Sequence, residues 1–155
     1  MKTAGRIFTG LGLLLTAACA ALAAWAYPCL PQQIPRHWNF AGELDRWADK
    51  SGILGVAAIG VVLFLMWWAL AAMCAYAARN DVKKGCDEQT AQRNGRRIYT
   101  ILMGCAMVTA AAFLYITWQM TRAAALGAWL GPALFAAMAA VTAGLLWTDK
   151  RKRAV

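Results

Sequence analysis

The chain has 155 residues, of which 61% are hydrophobic and only 15% charged, and it carries a formal net charge of +9. That composition excludes an ordinary soluble domain, where about a quarter of the residues are charged, and it excludes a disordered chain as well. The positive charge does not point to nucleic acid, because the basic residues cluster at the ends of apolar runs rather than along one face.

Four such runs, 7–26, 53–78, 98–120 and 126–147, contain no Asp, Glu, Lys, Arg or His. Each has the roughly 20 residues that a helix needs to cross about 30 Å of hydrocarbon. Open sheets would leave edge groups unpaired in lipid. The expected fold is therefore an all-α membrane protein, a single membrane domain over 1–155 with four transmembrane helices. A short extracytoplasmic loop, 27–50, joins the first two.

The first run follows Lys2 and Arg6 and ends in ALAAWA, a pattern that a cleavable secretory signal shares. We expect a retained span, with Ala17, Ala20, Ala21 and Ala24 on its packing face. Cleavage would leave three spans in the same orientation.

The loop that follows reads YPCLPQQIPRHWNFAGELDRWADK and contains three of the four prolines and the only histidine. Pro28, Pro31 and Pro35 fix φ near about −65°, which predicts an extended or polyproline-like stretch over 27–35. Asn39 and Gly42 predict a turn. Asp49 or Ser51 is placed to cap the next helix. Trp25, Tyr27, Trp38 and Trp47 are expected at headgroup depth, where an apolar ring with a polar N–H is best accommodated. The loop is thus expected to lie on the bilayer.

The second run is long enough to tilt, and it carries Trp67 and Trp68 past its midpoint. Residues 80–95 show no apolar period and read as a polar cytoplasmic connector with room for a surface helix ending at Gly95. The short turn after the third run predicts antiparallel third and fourth helices, with Gln119 and Arg122 facing the loop. Gly131-Pro132 places the start of the fourth regular helix near Pro132. Ala136, Ala140 and Gly144 form a small-xxx-small face suited to close helix approach.

Twelve of the sixteen basic residues lie before the first run, between the second and third, or after the fourth. This bias predicts a multi-pass protein with both termini cytoplasmic and loop 27–50 outside, in contact with the lipid bilayer and drawn to anionic headgroups. The five cysteines are scattered: Cys19, Cys74 and Cys105 in the runs, Cys86 in the connector and Cys29 in the loop. They make no disulfide framework.

The loop holds the chemistry. His37 with Glu43, Asp45 or Asp49 has the makings of a divalent-metal site, with His37 and Asp45 as first candidates, or of a base with an acidic partner in hydrolysis. The bland reading is that His37 bonds a carbonyl while Arg36, Arg46 and Lys50 balance the three carboxylates. No HExxH, paired CxxC, GxSxG or phosphate-cradling glycine loop occurs. The charge-free spans also count against an ion-coupled transporter.

The ordered pattern Tyr27, Pro28, Leu30, Pro31, Ile34, Pro35, His37, Trp38, Asn39, Gly42, Asp45, Trp47 and Lys50 resembles the module called domain of unknown function 1648. That module is similar to the amino-terminal part of SdpI-type immunity proteins. The resemblance implies a bacterial inner-membrane protein whose outer loop is the functional signature. The second motif of those immunity proteins, GxRxPWT, does not occur in this sequence. On this basis Pro28, Pro31, Pro35, Trp38, Gly42, Trp47 and Lys50 are expected to shape the loop, so that His37, Asn39 and Asp45 converge on one ligand-binding point. The function expected is non-enzymatic binding, immunity- or sensor-like, of an extracellular peptide or other ligand. Two alternatives stand beside it: an accessory subunit of a larger membrane-protein partner, and a small membrane hydrolase using His37.

Overall fold

Sequences this rich in Ala, Leu and Val, with glycines at intervals, form helices wherever no proline intervenes. A computed structural model describes residues 2–39, 41–83, 85 and 87–153, and describes side chains over the same residues except Lys2, Asp81, Lys83 and 145–153. Lys84 and Cys86 lie outside the described residues, as do the side chains of Lys83 and of the basic positions 150–153. Four helices carry the fold: α1 (Lys2–Ala26), α2 (Gly52–Lys83), α3 (Glu88–Arg122) and α4 (Leu130–Arg153).

The loop is not all coil, and the chain is not all-α. After a 3-10 turn at Tyr27–Cys29, strands β1 (Gln33–Trp38) and β2 (Leu44–Asp49) pair as an antiparallel hairpin. The expected polyproline-like path over 27–35 is therefore helical at its start and in a strand at its end. Pro35 is tolerated in β1 because every strand of a two-stranded sheet is an edge.

Helix α3 packs against all three other helices, parallel to α1 and antiparallel to α2 and α4. The face that α1 buries is not the alanine face expected from the sequence. Gly5, Gly12, Thr16, Cys19, Ala23 and Ala26 are buried, at alternating steps of about seven, four and three, whereas Ala17, Ala21 and Ala24 are exposed. A near-3.5 period is what helices crossing at shallow angles select. Size decides the face: a Cβ on Gly12 would stand 2.7 Å from the Phe64 ring and 3.5 Å from the Met107 Cα. In residues 80–95, expected as a connector with a surface helix ending at Gly95, the helix does not end there but runs on into the third apolar run. α2 continues to Lys83, and α3 starts at Glu88 because Asp87 caps it, accepting the Thr90 amide at 2.9 Å. That hydrogen bond also holds the Asp87 carboxyl below its ordinary value.

Among the residues whose side chains are described, three helices, α1, α2 and α3, are long and apolar enough to cross a membrane, and the apolar part of α4 covers the shorter Leu130–Gly144. Helix α4 begins at Leu130, close to the start expected near Pro132, and residues 123–129 are held outside it, as described below. Ala136, Ala140 and Gly144 are exposed, and α4 meets α3 instead through partly buried residues such as Val141, beside Gly104. Large apolar side chains (Leu14, Val62, Met66 and Phe135 among them) cover the outer surface of the bundle. That surface suits a hydrocarbon surround. Among the described residues no buried side-chain nitrogen or oxygen lacks a partner. The helix hydroxyls meet that demand locally: Thr16, Thr100 and Thr142 each donate to the carbonyl one turn back, at 2.7–2.9 Å.

Candidate functional site

The hairpin is positioned from its apolar underside. Ile34 is 1% exposed and joins Cys19, Ala23, Ile53, Ala57 and Met120, so one side chain from β1 plugs the end of the α1–α2–α3 bundle. Leu30, Tyr27 and Trp38 flank this plug. The two ends of the motif also meet, with Lys50 Nζ 5.0 Å from the Tyr27 ring centroid and the Lys50 amide donating to the Gln32 carbonyl at 2.9 Å.

The tip of the hairpin is fastened separately. The Asn39 amide donates to the Glu43 carbonyl and the Gly42 amide to the Asn39 carbonyl, both at 2.9 Å. Gly42 closes the turn with φ of +78°, in the left-handed region. Its lack of a side chain serves a second purpose. A Cβ there would fall 2.4 Å from the Gly127 carbonyl carbon. The tip therefore sits backbone to backbone on the α3–α4 connector, and the Leu126 amide donates to the Gly42 carbonyl at 3.1 Å.

That connector is tied down in turn. Three consecutive carbonyls each accept from one side chain: Ala124 from Trp38 Nε1 at 3.1 Å, Ala125 from Gln119 Nε2 at 2.6 Å and Leu126 from the Tyr115 hydroxyl at 3.2 Å. Two expectations change here. Trp38 gives its N–H to a protein carbonyl and not to a headgroup, because the connector comes within reach. Gln119 faces the connector rather than loop 27–50, while Arg122 lies over the Trp118 ring at 5.6 Å.

The upper side of the hairpin carries the titratable groups. Gln33, Ile34 and Pro35 pair with Asp49, Ala48 and Trp47, and the same register returns where Trp38 pairs with Leu44. Between these pairs the ladder is irregular, His37 standing opposite Arg46. Bulges of this kind re-aim side chains. His37 Nδ1 and Asp45 Oδ1 are 2.7 Å apart, with side chains 62% and 44% exposed. The third expected member, Asn39, is engaged elsewhere: its Nδ2 donates to Glu43 Oε2 at 3.1 Å, and its Oδ1 accepts the Glu43 amide at 3.0 Å. Asp49 accepts the Ser51 amide at 2.8 Å just ahead of α2, which holds its carboxyl below the ordinary value.

Two of the three candidate residues therefore come together and the third stiffens the turn. For a divalent metal, His37 and Asp45 supply two donors, and among the described residues no group of three His, Cys, Asp or Glu side chains forms. Of the expected shaping residues, Pro35 is buried, Pro28 lies in the 3-10 turn, Pro31 is exposed, and Trp47 stays 51% exposed. The roles missed by sequence reasoning are Ile34 as plug, Tyr115 and Gln119 as donors that hold the connector, and Gly127 as the backbone on which the tip rests. Gly127 carries a positive φ of its own, and its place in a short turn was the available signal.

These contacts coincide with a family boundary. Residues 14–61 match the family model of a domain of unknown function, DUF1648. The match begins in α1, spans the whole hairpin and ends within α2. The connector groups that meet Trp38 and Gly42, namely the Ala124 carbonyl, the Leu126 amide and the Gly127 backbone, lie beyond it. The DUF1648 segment thus docks onto a floor that the rest of the chain provides. No curated protein and no solved structure matches this chain.

Proposed function

We propose that this is a non-enzymatic protein of a bacterial cytoplasmic membrane whose hairpin, on the extracytoplasmic face, recognises a peptide ligand in an immunity- or sensor-like role. The observation that carries the reading is the division of the hairpin into two sides. Ile34, Pro35 and Gly42 are buried underneath, while His37 and Asp45 stand out of the cap as a hydrogen-bonded pair. A surface built only for stability has little use for such a pair, since exposed ion pairs contribute about 0–1 kcal/mol. A ligand gains much more from it, because a carboxylate on Nδ1 orients the ring and leaves Nε2 presented outward. Both termini then lie in the cytoplasm, in line with the basic bias.

The test uses cells producing the full chain and challenged with a membrane-active peptide toxin. His37→Ala and Asp45→Ala are each expected to abolish protection while membrane content stays unchanged. Protection equal to that of the unmodified chain would overturn the reading, and loss of both variants from the membrane would assign the pair to folding. Orientation is checked on the exposed thiol of Cys29. A membrane-impermeant maleimide is expected to label it in intact cells, and labelling only after lysis would place the hairpin inside.

A further inference from the structure

At the far end of the bundle from the hairpin, α1, α2 and α3 part to leave a groove of about 990 Å³. We infer that this groove is a binding site for one anionic phospholipid, whose phosphate is held by guanidinium groups from three helices. The inference does not depend on what the hairpin binds.

Arg6 of α1, Arg79 of α2 and Arg96 of α3 all line the groove, and Glu88 is the one carboxylate among its lining residues. Three positive groups against one negative make a site for an anion rather than for a zwitterion. Among the described residues, Arg6 and Arg79 have no hydrogen-bond or ion-pair partner, and Arg96 donates only to Gln92, at 3.0 Å. Guanidinium forks match phosphate oxygens, so uncommitted arginines from separate helices suit that ligand.

The depth is right as well. Arg6 immediately precedes the apolar run 7–26, and Arg79 immediately follows the run 53–78. Arg96 precedes Ile98, where the continuous apolar run of α3 starts. All three thus sit at a hydrocarbon boundary, where headgroup phosphates are found. Deeper in, the lining becomes apolar and aromatic, with Ala72, Tyr76 and Tyr99, which suits an acyl chain. Small residues keep the space open: Gly5, Ala75, Ala91 and Gly95 all border it.

The experiment is lipid binding to the purified full chain in detergent, read by native mass spectrometry and by thermal stabilisation. Phosphatidylglycerol is expected to remain bound one to one and to raise the unfolding temperature, whereas phosphatidylcholine and soluble glycerol 3-phosphate do neither. Arg6→Gln, Arg79→Gln and Arg96→Gln should each weaken phosphatidylglycerol binding about fivefold. Arg36→Gln, which removes the same charge at the hairpin end, should not. Ala72→Phe fills the groove without changing charge, and it should abolish retention in a chain that still elutes as the folded species. Equal retention of phosphatidylcholine, stabilisation by glycerol 3-phosphate alone, an equal loss with Arg36→Gln, or full binding by Ala72→Phe would each overturn the assignment.

Discussion

The two ends of the bundle solve the same problem differently. At the hairpin end, short backbone elements meet directly: one isoleucine plug, one glycine pressed on another, and three carbonyls each taken by a side chain. At the basic end the helices part, and three arginines line an open groove, Arg6 and Arg79 without a partner among the described residues and Arg96 bonded to Gln92. Directional bonds fix geometry, whereas charges at a lipid boundary fix only depth and sign. The difference teaches that the hairpin end is where this chain holds a defined shape. At the basic end the surroundings complete the structure.

The largest expected effect breaks the close contact at the tip. Gly42→Ala combines a left-handed backbone with a Cβ driven into the Gly127 backbone, which cannot yield as a side chain would. The cost should be about 4 kcal/mol in equilibrium unfolding in detergent micelles. A change below about 1 kcal/mol would mean that the tip is not docked. A smaller effect sharpens the same point. Trp38→Phe keeps the ring in place but leaves the Ala124 carbonyl without its donor, and should cost about 1 kcal/mol. If the tryptophan were only a bilayer anchor, the variant would instead lose stability in lipid vesicles and not in micelles.

The smallest effect is a pH dependence at the start of α2. The Ser51 amide holds the Asp49 carboxyl below its ordinary value. The hydrogen bond therefore stabilises the fold fully above the unfolded pKa, and the contribution is lost as pH falls through the lower folded value. Unmodified chain and Asp49→Asn should differ at neutral pH and converge below about pH 4. A gap that stays constant across this range would remove the carboxylate from the account.

Much of this was legible beforehand, for identifiable reasons. The long helices follow from run length alone, and the Asn39–Gly42 turn follows from residue chemistry. The pairing of His37 with Asp45 was expected from residue chemistry, and it forms although the ladder sets His37 opposite Arg46. The strand that carries His37 was the part not read, because Pro35 argued for an unpaired extended path, although a proline on an edge strand loses no necessary bond. A surface helix was expected to end at Gly95, so the continuity of α3 through that glycine was missed, although Asp87 three residues ahead of Thr90 is a capping signal for its start. Other features were beyond a single sequence. That Ile34 would plug the bundle, or that Ala124, Ala125 and Leu126 would offer three carbonyls in a row, depends on how distant segments meet. The packing face of α1 belongs here too, since alanine and glycine are too plentiful for spacing alone to choose among them.

The central claim is that the hairpin is fixed to the connector, and hydrogen exchange of the full chain in micelles tests it most directly. The Leu126 and Lys50 amides, which donate to Gly42 and Gln32, are expected to exchange on the timescale of the α3 backbone. Exchange of either amide at the rate of free peptide, while α3 stays protected, would contradict the account.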